Sequence, residues 1–513
     1  MVINNIIDRC ESVNEIDKVV ALLAHRIKLG FVFDEAPIVR SEDTISVLTK
    51  DEQLSFSGKA DSPRHKLIIG DNYDALNNLL ITHRGQIDVI YIDPPYNTGG
   101  DNLGYVDKFS KNAWLNMMKE RLVLAHKLLS EDGVIFISLD DNMQAYFKVL
   151  MDEIFGEENF VTSFPRVTVK GGKTQTNLCS NNYDLIICFA KNINCCSFNK
   201  IVVEDEAFKY KDEHFNKRGY FHNKQTLDSN SLGYVKSLDF PITFKGKIYY
   251  PGGYDNFIKR QNNDISSDNE WRWTWSEELV NFAIKNDFLI SKNDRLWPKK
   301  YLNAKIIQDK NSDEKYTILF ESRFKPYSNL HFLQNEFSNP NGKRDLDVLN
   351  MEGKFKNPKP IDLIKTLINL NTNKCIKILD FFAGSGTTGQ AVLELNKEDG
   401  GSREFILCTR EFDGKYNENN IAIDVTYERL YRINNGEGTD RSNDFEWLKK
   451  NEPFHNSLDV YRVKDVNIGV HQSKTLEELV DINVYKDINP NLAINDNNKV
   501  NLLYPLLNHL GVK

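Results

Sequence analysis

From Lys66 onward, short apolar segments alternate with amphipathic ones; the pattern stops near residue 190 and resumes at Ile376. Leu67-Ile68-Ile69 reads as a strand running into Gly70-Asp71 and a helix through Leu76 and Leu80. Asp88-Val89-Ile90-Tyr91-Ile92 is apolar on both faces, Trp114 to Leu129 is helical, and Gly133 to Leu139 is a third strand. A helix over Gln144 to Ile154 and a strand over Asp184 to Phe189 follow. Strands without a polar face belong in a parallel sheet covered by helices on both sides. Strand–helix alternation is how such a sheet is wound. The predicted fold is therefore α/β and Rossmann-like. After Asn357-Pro358-Lys359-Pro360 a helix opens, and Ile376 to Asp380, a helix from Thr388 to Leu395, and Glu404 to Cys408 resume the alternation. The intervening stretch is polar, aromatic and irregular, so one α/β domain carries a large insertion.

A chain of 513 residues needs more than one core. Val19, Val20, Leu22, Leu23 and Ile27 form a helix-like stripe, which makes residues 1–60 a helical arm. Residues 61–164 and 351–440 are the two parts of the α/β domain, 165–350 the insertion, and 441–513 a small appendage. The 7 cysteines are odd in number and none sits in a CxxC pair. They read as buried thiols in a reducing compartment rather than as disulfides or a zinc site. No His/Cys/carboxylate cluster has ligand spacing, so no metal is expected. The first residues lack a basic stretch before an apolar core, and no apolar run has membrane length. A cytoplasmic protein without membrane contact is expected. The net charge of -8 weighs only weakly against a nucleic-acid partner, because binding depends on local charge.

Two segments carry chemistry. Asp93-Pro94-Pro95-Tyr96 follows directly on a buried strand, where open α/β sheets bind ligands. An exocyclic amine on a nucleobase is a poor nucleophile, because its lone pair is delocalised into the ring. The Asp93 carboxylate and the Pro94 carbonyl are acceptors that would localise that pair and stabilise the charge that develops on nitrogen. Two prolines stiffen the segment, and Tyr96 offers a face for an extruded base. A bare Asp-Pro-Pro is equally readable as a rigid polar turn. Asp380-Phe381-Phe382-Ala383-Gly384-Ser385-Gly386-Thr387-Thr388 also joins a strand to a helix, with glycines that permit a tight turn close to a ligand. It lacks the lysine of a phosphate loop and the full dinucleotide fingerprint.

The pair, in this order and with an insertion between, resembles the beta class of amino-methylating DNA methyltransferases. That resemblance implies an S-adenosylmethionine-dependent methyltransferase fold with a target-recognition domain at 165–350. It assigns catalysis to Asp93, Pro94, Pro95 and Tyr96. It assigns S-adenosylmethionine contacts to Asp380, Phe381, Phe382, Ala383, Gly384, Ser385, Gly386, Thr387 and Thr388. Asp71 lies in a segment matched near the cofactor, and Glu411 is the acid for the ribose. Lys359 is placed at the methionine carboxylate, although a solvated lysine reads equally well there. Tyr183 and Asn97 flank the flipped base. Asp93 to Gly100, Trp114-Leu115 with Glu120-Arg121-Leu122, and Gly133 to Asp141 resemble more narrowly the modification subunit of type III restriction systems. That group implies a homodimer on double-stranded DNA, paired with a helicase-nuclease restriction subunit.

The insertion carries Arg166, Lys170, Lys173, Lys245, Lys247, Lys259, Arg260, Lys292, Arg295, Lys299, Lys300, Arg323 and Lys325. As a set they predict phosphate and base contacts in a basic groove facing Tyr96. Trp271, Trp273 and Trp275 alternate as on a strand and read as core. Asp at the head of the tetrapeptide favours adenine-N6 over cytosine-N4. A solitary type II enzyme, an RNA or protein methyltransferase, a non-catalytic DNA-binding subunit and a nucleotide hydrolase are the competing readings.

Overall fold

The computed structural model describes residues 44–59, 62–97, 110–171, 179–202, 208–266, 269–309, 315–411, 420–468, 479–493 and 503–510. The chain divides into a unit built from 1–199 with 328–513 and a second unit, 200–327. The first holds a 9-stranded sheet. Its strands in chain order are β1 (Thr44–Lys50), β2 (Arg64–Ile69), β3 (Ile87–Ile92), β4 (Leu129–Leu139), β5 (Phe160–Val167), β6 (Tyr183–Ala190), β7 (Lys377–Asp380), β8 (Glu404–Thr409) and β9 (Ser457–Asn467). Their order across the sheet is β1-β9-β2-β8-β7-β3-β4-β6-β5. From β9 to β4 all neighbours are parallel, while β1, β6 and the β5–β6 pairing are antiparallel.

Among the described residues the α-helices of this unit are α1 (Asn72–His83), α2 (Lys111–Leu128), α3 (Gln144–Phe155), α4 (Asn339–Asp347), α5 (Ile361–Ile368), α6 (Thr387–Asp399), α7 (Glu428–Asn435) and α8 (Ile482–Ile488). Side chains start three of them, α8 through the Asp481 carboxylate, which accepts from Asn483 N at 3.0 Å. The Asp71 carboxylate accepts from Tyr73 N at 2.9 Å, and Ser110 Oγ from Ala113 N at 3.1 Å, each satisfying an N–H that has no partner inside its helix. The core under α1 to α3 takes Leu76, Leu80, Trp114, Leu122, Phe147 and Leu150, packed on Ile90, Ile92, Ile135 and Ile137 of β3 and β4. The apolar runs at β3, β4 and β6 are thus buried strands, as their composition predicts.

Three expectations change. Residues 44–50, placed in a helical arm, form β1, with Ile45 and Val47 buried at the two-residue period of a strand. The apolar stripe at 19–27 lies outside the described residues. The 441–513 segment is no appendage: β9 lies between β1 and β2, paired to β2 over Ser457–Arg462 and to β1 over Tyr461–Asn467. Its polar sequence hides this, because the buried Asp459 in its middle is held by Arg64 at 2.6 Å and Lys50 at 3.2 Å from flanking strands. Finally, the second unit covers 200–327 rather than 165–350. Residues 160–199 remain with the first unit because β5 and β6 close that edge of its sheet.

The second unit has its own core of Phe221, Leu227, Trp273, Val280, Leu289, Leu296 and Tyr301 around two-stranded sheets. Trp273 is buried and donates its indole N–H to Phe240 O at 2.6 Å. Trp275 packs partly on this core, whereas Trp271 faces the Arg295 guanidinium at 4.9 Å. Among the described residues no helix is long and apolar enough to cross a membrane. The described cysteines are free thiols. Cys188 and Cys408 are buried as expected, but Cys179, Cys195 and Cys375 are exposed.

Candidate active site

β3 and β7 are adjacent parallel strands, with Val89 opposite Ile378 and Ile90 opposite Leu379. From β3 the chain proceeds to β4 on one side, and from β7 to β8 on the other. This is the switch point of the sheet, where the loops leaving two neighbouring strands diverge and open a crevice. The loop leaving β3 is Asp93-Pro94-Pro95-Tyr96, and the loop leaving β7 is Phe381 to Gly386. Parallel pairing alone therefore brings together two motifs that lie far apart in the chain.

Between them lies a cavity of about 1040 Å³, lined by Asp71, Asp93, Pro94, Pro95, Tyr96, Lys359, Asp380, Phe381, Phe382, Ala383, Gly384, Ser385, Thr387 and Thr388 among others. Gly384 and Gly386 have φ of 49° and 74°, the left-handed region that favours glycine. A Cβ on Gly384 would sit 3.1 Å from Phe355 Cζ, so the ring of Phe355 lies against this turn. Gly386 starts α6, and Thr426 Oγ1, from a π-helical turn before α7, donates to Gly384 O at 2.6 Å. Asn72 Nδ2 donates to Phe381 O at 2.8 Å, which ties the start of α1 to the same loop. Arg121 on α2 reaches Asp71 at 3.0 Å and Asn72 at 2.5 Å. Asp380 is buried and accepts from Thr388 Oγ1 at 2.5 Å and Phe382 N at 3.0 Å. Burial pushes its carboxyl up to about 7, with those two bonds opposing and the nearby Asp93 adding to the rise.

On the other loop, Trp114 Nε1 donates to Pro95 O at 2.8 Å, anchoring the prolines to α2. Asn97, at φ 56°, turns the chain out of the motif and donates to Met143 Sδ at 3.7 Å. Asp93 shows two different oxygens. Oδ2 accepts from Lys359 Nζ at 2.6 Å, while Oδ1 is buried with no hydrogen-bond donor among the described residues. A buried acceptor without a donor is costly unless something supplies one. The Lys359 ammonium also lies 5.1 Å from the centre of the Tyr96 ring. Lys359, expected at a cofactor carboxylate, lines the cavity and holds the carboxylate of the other motif.

Other expectations also need correction. Arg166, expected on DNA, is fully buried and forms an ion pair with Asp184. Glu411 does not line the cavity. Its carboxylate accepts from Arg462 at 2.7 Å and Asn420 at 2.8 Å, and Thr409 and Arg410 line the wall instead. Tyr183 is exposed, donates its hydroxyl to Asp141 at 3.1 Å and is not among the lining residues. Lys170 is exposed, and Lys173 lies outside the described residues. In the second unit Arg260 is buried against Asp239, Lys299 against Asp212 and Asp287, and Arg295 meets Asp228. Arg323 donates to Tyr301 O, so these four cations serve their own unit. Lys245, Lys259, Lys292, Lys300 and Lys325 are exposed. The unit also brings ligand atoms of Glu213, His214 and Asp287 within 4.8 Å of one another, a cluster that sequence spacing conceals. Lys299 already places its ammonium 2.6 Å from Asp287 there. Asp184, in contact with Tyr96, was not singled out from the sequence as a site residue. Its only signal is its place directly after Asn182-Tyr183.

A DNA methylase family model matches residues 87–238 and 253–433, and a model described as an uncharacterised conserved protein matches 1–89. The StyLTI type III restriction-modification Mod subunit of Salmonella typhimurium is 30% identical over 428 residues, 78% of this chain and 60% of that protein. The EcoPI Mod subunit of Escherichia phage P1 is 30% identical over 433 residues, 76% of this chain and 64% of that protein. The type II methyltransferase M.KpnI of Klebsiella pneumoniae is 28% identical, with 78% and 93% covered. This chain thus spans 60% and 64% of the length of those two type III relatives. Among solved structures, the PvuII cytosine-N4-specific DNA methyltransferase aligns with a TM-score of 0.35 at 10% identity, covering 70% of this chain and 86% of that one. Because the model matched over 87–238 and 253–433 takes in more than half of the chain, including both motif loops, the chain belongs to the N6/N4 DNA methylase family.

Proposed function

We propose that this protein transfers a methyl group from S-adenosylmethionine to the N6 amino group of an adenine flipped out of double-stranded DNA, as the modification subunit of a type III restriction–modification system. The observation that carries the reading is the unpartnered, buried Oδ1 of Asp93, which lines a cavity shared with the glycine turn after β7. An exocyclic amine is a donor of the kind that this oxygen lacks. When bound, S-adenosylmethionine supplies an electrophilic methyl group on a sulfonium. Asp71, Asp380, Phe382 to Ser385, Thr387 and Thr388 are the residues to hold it, since they line the cavity.

Lys359 fixes the rotation of the Asp93 carboxylate through Oδ2, leaving Oδ1 to accept from the amino group. That bond draws the nitrogen towards a tetrahedral geometry and stabilises its developing charge as it attacks. Tyr96 provides the stacking face for the extruded base. Lys245, Lys259, Lys292, Lys300 and Lys325 are among the exposed cations of the second unit that are free to face DNA phosphates. Asp at the head of the tetrapeptide favours adenine. Similarity to Mod subunits of type III restriction-modification enzymes supports a restriction-subunit partner, the helicase-nuclease activity of that partner and a homodimer being further parts of the proposal, and M.KpnI, a type II methyltransferase, supports a second reading without that partner.

The test is transfer of labelled methyl from S-adenosylmethionine to unmethylated genomic DNA, with nucleoside analysis of the product. N6-methyladenine is expected from the intact chain and none from Asp93→Ala. N4-methylcytosine would overturn the choice of base, and absence of any product would overturn the enzymatic reading.

A further inference from the structure

We infer that Asp184 and Arg166 are positioning residues that set the ring of Tyr96 for the incoming base. This rests on the reading of Tyr96 as the stacking face. The Tyr96 hydroxyl donates to Asp184 Oδ2 at 3.3 Å. Arg166 grips the same carboxylate with both arms of its fork: Nε donates to Oδ1 at 2.7 Å and Nη2 to Oδ2. Its remaining arm, Nη1, donates to Phe337 O at 2.8 Å and Asn339 Oδ1 at 2.9 Å, just before and within α4. Arg166 and Asp184 are register partners on β5 and β6, so the sheet itself holds them opposite each other. Their side chains are 0% and 3% exposed.

A pair so deeply buried is a poor source of stability, because desolvating two charges offsets much of their attraction. What a bidentate pair does provide is direction: the carboxylate is held in one orientation and presents the Tyr96 hydroxyl with an acceptor at a fixed place. Burial, Asp93 and Asp184 all push the Tyr96 phenol well above its ordinary value, so the hydroxyl stays a donor. Lys359 lies over the ring from another direction, 5.1 Å from its centre. The ring is thus held at its tip by the β5–β6 hairpin and approached on its face by the cation that orients Asp93. The hairpin is thereby linked to the catalytic loop. Because Arg166 is spent internally, it contributes position rather than phosphate contact.

The experiment compares four forms of the full chain: unaltered, Tyr96→Phe, the double variant Arg166→Met with Asp184→Leu, and the triple combination. Replacing both charges with apolar groups avoids a lone buried charge and leaves the fold a good prospect. One readout is 19F NMR of the fluorotyrosine-labelled chain, with the Tyr96 signal assigned by its loss in Tyr96→Phe. The other is single-turnover methyl transfer to unmethylated genomic DNA, together with KM for S-adenosylmethionine. In the double variant the Tyr96 signal should shift and broaden. The rate should fall ~10-fold through loss of orientation, with KM for S-adenosylmethionine unchanged. Adding Tyr96→Phe to the double variant should cost nothing further, which is the mark of groups acting as one unit. An unchanged Tyr96 signal, or a Tyr96→Phe loss of equal size in both backgrounds, would overturn the inference. If the double variant does not fold, Tyr96→Phe alone must show the same rate loss, and an unaltered rate sinks the idea. A chain that makes no N6-methyladenine refutes the functional reading instead, while the NMR comparison still decides the positioning role.

Discussion

Lys359 shows how one charge supports opposite assignments. Read from its neighbours Pro358 and Pro360, it served a cofactor carboxylate or solvent; in the fold its ammonium is 2.6 Å from Asp93 and its side chain is 9% exposed. Lys359→Met separates the roles. Loss of the Asp93 partner should lower the methyl-transfer rate ~10–100-fold with S-adenosylmethionine affinity little changed. A variant that loses cofactor affinity at an intact rate would restore the first assignment. Asp380 gives a pH prediction. Its folded carboxyl titrates at about 7, raised from 3.8 by burial, so the folded chain holds this proton more tightly than the unfolded one. Its contribution to stability is full below about pH 4 and is lost as the pH rises through about 7. Asp380→Asn should flatten this part of the profile, so that urea denaturation finds the unaltered chain losing more stability than the variant between pH 4 and 7. Equal slopes would show that Asp380 is ionised in the fold throughout.

At the scale of elements, β9 is the revealing case. Among the described residues it is the strand that joins β1 to the parallel strands in the sheet, and Val463 packs so closely on Gly70 that a Cβ there would meet Val463 Cβ at 2.5 Å. Gly70 stands immediately before the α1 cap that carries Asp71, so the C-terminal strand also buttresses the cavity wall. A chain ended after Asn456 should leave β1 and one edge of β2 unpaired and lose cooperative thermal unfolding and soluble yield. A truncated chain that unfolds cooperatively and still binds S-adenosylmethionine would make β9 dispensable. β3, β4 and β6 were legible in the sequence because strands buried on both faces are apolar throughout. β9 was not, because its buried Asp459 is neutralised by Lys50 and Arg64 on neighbouring strands, and pairing across a sheet leaves no local pattern.

For the molecule as a whole, the interruption of the α/β pattern is a separate core inserted between β6 and α4. Residues 200–327 enclose Trp273, Leu296 and Tyr301, and bury Arg260 on Asp239 without help from the rest of the chain. Expressed alone, 200–327 should unfold in one cooperative transition by circular dichroism. A broad, non-cooperative melt would show that it depends on the first unit. Its boundary was misplaced in the sequence because polar, irregular composition begins before the sheet ends: β5 is an edge strand with mixed burial, and its Arg166 reads as a surface charge until Asp184 is seen opposite it.

The sequence by itself determined the α/β class, the insertion, and the two motif loops at strand ends, because periodicity and glycine or proline content act locally along the chain. Only the tertiary structure decided that β7 lies beside β3, which makes two distant loops one cavity. It alone paired Lys359 with Asp93, Arg166 with Asp184, Asp184 with Tyr96, and Arg462 with Glu411. Each of these is a pairing of charges or polar groups from separate strands and loops. The partner of a charge depends on where the backbone carries it, and composition is silent on that.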